Sequence, residues 1–222
     1  MIPLRSTERV YAPATVTASL IALNTVIFLY QATMSPYALD RFVSEWGIVP
    51  DRLHVASLLT SMFLHGGWLH LIGNMLYLWV FGRNVEDLIG PGKFLLFYIL
   101  CGLASAVVHV IFNPYSRVPT IGASGAIAGV MGAYLVKFPH ARIITLTFIF
   151  FFVTTLEVPA AFLLLFWFAI QFFSGFGSLG ESDYSGGGTA WFAHIGGFLA
   201  GMLLIRFFPP RRRWRAWYMD NE

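Results

Sequence analysis

With one cysteine in 222 residues, Cys101, the chain cannot form an intramolecular disulfide, and its redox compartment cannot be read from cysteine usage. Cys101 lies inside an apolar run and reads as a small packing residue. Charge is equally scarce: 11% of residues are Asp, Glu, Lys or Arg, less than half the share of an ordinary soluble domain, while 57% are hydrophobic. That balance excludes a soluble globular domain and makes the chain an integral membrane protein. Internal repeats are missing, so the inverted-repeat signature of many transporters is lacking. An H-E-x-x-H motif is missing too, as is a carboxylate near His65, His70 or His194, which leaves metal catalysis weakly supported.

What the chain does have is apolar length. About 20 apolar residues cross the hydrocarbon core as a helix, and six stretches qualify, roughly 14–33, 68–88, 93–112, 121–138, 156–174 and 191–208. Six helices leave little room for anything else, so residues 1–222 read as a single all-α transmembrane domain. The first stretch follows Arg5 and Arg9, is too long for a signal peptide and lacks a small-residue cleavage site, so it reads as an uncleaved anchor. Retained positive charge marks the cytoplasmic side. An inside N-terminus places Arg5, Arg9, Arg83, Lys93, Lys137, Arg142, Arg206, Arg211, Arg212, Arg213 and Arg215 inside, and only Arg41, Arg52 and Arg117 outside. Both termini are then cytoplasmic. The closing "R-R-R-W-R-A-W-Y" has the basic and aromatic mix that rests on anionic lipid headgroups, and because this cluster hugs a span it is not a nucleic-acid footprint.

Among the outside connections, residues 34–67 read as a structured loop with short interfacial helices, and the glycine- and serine-rich 174–189 as a mobile cover. The fourth span is bracketed by Pro119 and Pro139, and Gly122 with Ala123 makes a poor helix start. A helix beginning near Ser124 has only about 15 residues, too short for the full core, so its N-terminus lies below the outer surface. Irregular backbone at that depth must be buried in protein or line a wet cavity, which puts Ser124 against water inside the membrane.

Gly122, Gly125, Gly129 and Gly132 share one helical face, and in "A-H-I-G-G-F-L-A-G" Gly197 and Gly201 form a second close-approach surface with His194 one turn above. If the two faces meet, His194 arrives beside Ser124 as a base beside a nucleophile. In "H-G-G-W-L-H-L-I-G-N-M", His70 and Asn74 are four apart near the outer end of the second span, and such groups are costly in lipid unless they face the bundle interior. The Asn74 amide and the Ser124 backbone N–H could donate to an oxyanion, with His70 a third donor or a structural partner. The bland alternatives are interhelical packing for the serine and a polar clamp for His70 and Asn74. A serine–lysine dyad fails because Lys137 is thirteen residues along the same helix, about 20 Å away by helical rise. Every Asp and Glu falls in an outside loop or at an inside end, which leaves a Ser–His dyad. A soluble-hydrolase nucleophile elbow is excluded, since "G-A-S-G-A" follows no strand.

Taken together, "H-G-G-W-L-H-L-I-G-N-M", "F-G-R-N-V-E", "G-A-S-G-A" and "A-H-I-G-G-F-L-A-G" resemble, in order and over all six spans, the rhomboid family of intramembrane serine proteases in its minimal six-helix prokaryotic-type form. The resemblance implies a rhomboid-like bundle with a short central fourth helix, Ser124 as nucleophile, and His194 as general base and then acid. It implies Asn74 and His70 with the Ser124 N–H as the oxyanion site, and Gly122 as part of the serine motif. The reaction implied is cofactor-free, metal-free hydrolysis of single-span or other transmembrane substrates near their extracytoplasmic end. The setting implied is a prokaryotic cytoplasmic membrane and its lipid, with no nucleic-acid partner and the oligomeric state left open. Two positions depart from the pattern. Many relatives carry an aromatic four after the serine, where this chain has Ala128, which leaves the histidine ring to another aromatic; a Trp-Arg pair of some relatives is here Ala56 and Ser57. The bulky fifth span, with 174–189, is the expected substrate entrance. A non-proteolytic rhomboid-like binding or dislocation factor is the alternative, and a small-molecule transporter a weaker one.

Overall fold

A computed structural model describes residues 2–149, 152–178 and 190–211. Residues 179–189, most of the expected cover 174–189, and the basic tail from Arg212 onward therefore lie outside the described residues. The apolar runs fold mainly as helices, as they must where water cannot satisfy the backbone. Strand β1 (Ile2–Ser6) precedes α1 (Thr15–Ala32); α2 (Pro36–Trp46) and the single turn α3 (Ser57–Thr60) follow in the long first loop. The next apolar run carries α4 (Trp68–Tyr77) and α5 (Arg83–Ile89), and then comes α6 (Pro91–Phe112). After α7 (Ser124–Lys137) come the strands β2 (Arg142–Ile149) and β3 (Phe152–Pro159), then α8 (Ala160–Gly177) and α9 (Trp191–Leu204). Of these, α1, α6 and α8 are each long and apolar enough to cross a membrane, and α7 and the segment Trp191–Phe207 are shorter apolar helices.

The secondary structure departs from the sequence reading in three places. The run expected as one helix over 68–88 is helical without interruption from Trp68 to Ile89, but it carries a π-helical turn at Leu78–Gly82 between α4 and α5. The fifth span does not begin at 156, because the chain is still in β3 until Pro159 and turns helical only at Ala160. Lastly, β1, β2 and β3 form an antiparallel sheet in the order β1-β2-β3, an addition to the helical frame that the sequence reading had not foreseen. Its source is the β-branched and aromatic "R-I-I-T-L-T-F-I" and "F-V-T-T-L-E-V-P", which pair in full register from Arg142 with Pro159 to Ile149 with Phe152. Ser6 of β1 meets the Tyr134 hydroxyl at 2.5 Å, tying the sheet to α7.

Packing concentrates on α7, which is buried along nearly its whole length between α6 and α9. A side chain at Gly197 would run into the Gly125 carbonyl, and one at Gly201 into that of Gly129, so the α7 and α9 backbones touch. Gly125 and Gly129 themselves face Ser105 and Cys101 of α6, which accounts for the small buried cysteine. Gly122 is not part of this helical face: it precedes the helix with φ of +127°. At the other end of the bundle Glu86 of α5 caps α1 from outside that helix. Its carboxylate accepts from the backbone of Val16 at 2.9 Å and Thr17 at 2.8 Å, and from the Thr17 hydroxyl at 2.7 Å. Asp87 beside it accepts from the backbone N–H groups of Tyr11 and Ala12.

Candidate active site

Ser124 is the first residue of α7, and the chain leading to it is anchored three times. Ile48 and Thr120 exchange backbone hydrogen bonds at 2.9 and 2.7 Å, the Gly122 N–H donates to the Ser61 carbonyl at 2.8 Å, and the Thr120 hydroxyl meets His109 Nε2 at 2.8 Å. The first loop thus carries backbone that a helix cannot satisfy at this depth. At 14 residues, α7 is about 21 Å long by helical rise, against roughly 30 Å of hydrocarbon.

Close contact between α7 and α9 brings His194 to Ser124, with Nε2 2.8 Å from Oγ. His194 Nδ1 lies 2.7 Å from Gln171 Oε1, on α8. Since a carbonyl oxygen only accepts, Nδ1 carries the proton and Nε2 presents its lone pair to the serine hydroxyl. The Trp167 ring, one turn before Gln171, lies 5.6 Å from the His194 ring between centroids and supplies the aromatic that Ala128 does not.

His70 and Asn74 of α4 face the same place. A methyl group added at Gly122 would come within 2.7 Å of His70 Nε2 and 3.7 Å of Asn74 Nδ2, so the glycine leaves the space that these two groups border. His70 Nδ1 accepts the Gly66 N–H at 3.3 Å, which leaves Nε2 as the donor. Asn74 Nδ2 is buried and, among the described residues, has no hydrogen-bond partner, an expensive state unless something else accepts from it. A cavity of about 660 Å³ opens over this group and is lined by Ser124, His194, His70, Asn74, Tyr77 and Trp167. Behind Ser124, a small polar pocket of about 30 Å³ reaches Ser61, Ser105, His109 and Thr120, the volume of one water molecule.

The structure therefore brings Ser124, His194, His70 and Asn74 to one cavity and sets Gly122 beside His70 and Asn74, in the wall of the small pocket behind Ser124. Sequence reasoning missed Gln171 and Trp167, although a lone amide within "F-L-L-L-F-W-F-A-I-Q-F-F" is the same signal that singled out Asn74. Gln31 was missed likewise: its amide clamps the His65 backbone, accepting from N–H at 3.0 Å and donating to the carbonyl at 3.3 Å, and fixes the loop before α4. Among the described residues no group of three His, Cys, Asp or Glu side chains is arranged to hold a metal.

Comparison with known proteins adds an independent observation. A family model described as the rhomboid domain matches residues 52–211. Rhomboid protease GluP of Bacillus subtilis is 46% identical over 78 residues, 35% of this chain and 15% of that protein. Rhomboid protein 1, mitochondrial, of Saccharomyces cerevisiae is 28% identical over 199 residues, 86% of this chain and 52% of that protein. RHOMBOID-like protein 6, mitochondrial, of Arabidopsis thaliana is 31% identical over 180 residues, 80% of this chain and 52% of that protein. The chain spans about half the length of these last two relatives.

Proposed function

The chain belongs to the rhomboid family, and from that premise we propose that it is an intramembrane serine endopeptidase working through Ser124 and His194. The observation that carries the reading is the 2.8 Å Ser124–His194 hydrogen bond at an open cavity whose wall holds Asn74, its Nδ2 without a partner among the described residues. In the proposed reaction Ser124 Oγ attacks the scissile carbonyl carbon while its proton passes to His194 Nε2. The oxyanion so formed is met by Asn74 Nδ2, His70 Nε2–H and the Ser124 backbone N–H, a first-turn donor with no intrahelical partner. His194 then hands its proton to the leaving amine, and water, activated by the same ring, releases the acyl group. No step calls for a metal or cofactor. A peptide bond within an intact helix is shielded, so substrates are transmembrane proteins whose helix unwinds near its outer end, with small residues at the cleaved bond. Both termini are cytoplasmic in this reading, and the site opens to the extracytoplasmic side.

The test is labelling of the detergent-solubilised protein by a fluorophosphonate probe. Wild type is expected to label, and Ser124→Ala and His194→Ala to lose the label while keeping the wild-type elution profile. Folded wild type that does not label would favour a non-proteolytic rhomboid-like factor.

A further inference from the structure

Helix α8 is the least embedded of the three long helices. Phe162, Leu165, Phe166 and Phe173 along it are between 51% and 74% exposed, and its buried residues are Ala160, Leu163, Leu164, Gln171 and Gly175. Gln171 alone among those five is polar. Trp167, Gln171 and Gly175 are four apart and form one stripe. The stripe meets α9: Trp167 lies against the His194 ring, Gln171 against its Nδ1, and Gly175 takes the close approach of Trp191 and Ile195. A buried amide is costly unless it is bonded, so placing Gln171 here makes sense only with His194 opposite.

Resting on the Ser124–His194 reading, we propose that Gln171 is a positioning residue that makes the dyad conditional on the seating of α8. Its carbonyl oxygen fixes His194 in the tautomer whose Nε2 lone pair faces Ser124, and it keeps its bond when the ring becomes protonated, because Nδ1 carries hydrogen in both states. A neutral amide takes no proton, so it orients the ring without sharing its charge. Displacing α8 removes the amide and the Trp167 ring together, and His194 loses both supports at once. A substrate that enters beside α8 is therefore cut only after α8 has returned.

The experiment compares Gln171→Leu and Gln171→Glu with wild type for kcat, KM, the pH–rate profile and thermal stability, using a purified transmembrane substrate in detergent. Gln171→Leu is expected to lower kcat roughly 10- to 100-fold with KM little changed. Gln171→Glu keeps an acceptor oxygen and adds negative charge that favours the protonated ring. It is expected to restore most of the turnover and to move the acid limb of the profile to higher pH, since the neutral base then forms only under more alkaline conditions. The other titratable groups acting on His194, His70 of α4 and His109 of α6, are the same in every variant, so they do not cause such a movement. A Gln171 that only packs α8 and does not sit at His194 Nδ1 would leave the limb in place and the kcat of Gln171→Leu near wild type, and either result, an unmoved limb in Gln171→Glu or wild-type kcat in Gln171→Leu, overturns the proposal. Should Gln171→Leu not fold, the limb in Gln171→Glu decides alone. Ser124→Ala and His194→Ala run alongside: cleavage surviving in these overturns the dyad and this inference with it, whereas inactive controls beside unaffected Gln171 variants overturn only the role of Gln171.

Discussion

At the scale of single residues, the site is built by polar groups that have no other employment in an apolar bundle. Asn74 illustrates the logic. Its Nδ2 is buried without a partner among the described residues, 3.7 Å from the position a Gly122 methyl would take. In the proposed reaction, a donor that is buried without a partner and borders the cavity stabilises charge that appears only during turnover, so its removal should weaken the transition state more than substrate binding. Asn74→Ala is expected to lower kcat about 100-fold with a small change in KM, read by steady-state cleavage of a transmembrane substrate. A KM effect with kcat unchanged would make Asn74 a substrate contact instead. Gly122 has a different cause: at φ of +127° it holds a conformation that side chains avoid, and a Cβ there would strike His70. Ser124, His194, Asn74 and His70 were legible in the sequence because a polar group inside an apolar run is conspicuous and each could be set on a helical face. Gln171 was conspicuous in the same way, but nothing in its spacing tied the fifth run to the sixth. Its meaning came only from the 2.7 Å contact with His194.

At the scale of elements, what fixes the distance between Ser124 and His194, the proposed nucleophile and base, is the contact between α7 and α9. The Gly125 and Gly129 carbonyls occupy the room where Gly197 and Gly201 side chains would be, so these helices cannot be separated by one methyl group without shifting His194 relative to Ser124. Gly201→Leu is expected to destabilise the folded protein by about 1–3 kcal/mol, the usual cost of overpacking, and to reduce fluorophosphonate labelling of the fraction that remains folded. The check is the thermal unfolding midpoint in detergent together with labelling rate; an unchanged midpoint would mean that the two backbones are not in contact. This contact was readable from small residues four apart. The β1-β2-β3 sheet was not, because "R-I-I-T-L-T-F-I" and "F-V-T-T-L-E-V-P" stand between two apolar helical runs, and hydropathy does not distinguish an apolar strand from the start of a span. The π-turn at Leu78–Gly82 was equally hidden, since it alters backbone pairing without altering which residues are apolar.

For the whole molecule, the proposed function raises the question of how a lipid-embedded substrate would reach a cavity enclosed by helices. The contact of α7 with α9 is backbone to backbone, its contact with α6 sets the small Ser105 and Cys101 side chains against glycines, and α1 is secured to α5 through Glu86, so these parts do not open cheaply. By contrast α8 shows large exposed side chains on its outer face and lines the cavity with Trp167, across from Tyr77 and Asn74 of α4. Separation of α8 from α4 is thus the opening that sacrifices least packing, and it is also the one that removes Gln171 from His194. These two properties of α8 predict opposite responses to fixing it in place. A disulfide joining engineered cysteines on α4 and α8, the two helices whose Tyr77 and Trp167 line the cavity, should hold the proposed dyad in order while barring a transmembrane helix. Fluorophosphonate labelling, which needs only the open cavity and an oriented His194, is expected to continue at the wild-type rate, whereas cleavage of a transmembrane substrate should fall at least tenfold and recover on reduction. Native Cys101 is buried against Gly129 and does not compete for the bridge. Undiminished cleavage by the locked protein would show that substrates arrive by another route. Loss of labelling as well as cleavage would show that the dyad needs α8 to move instead of to stay.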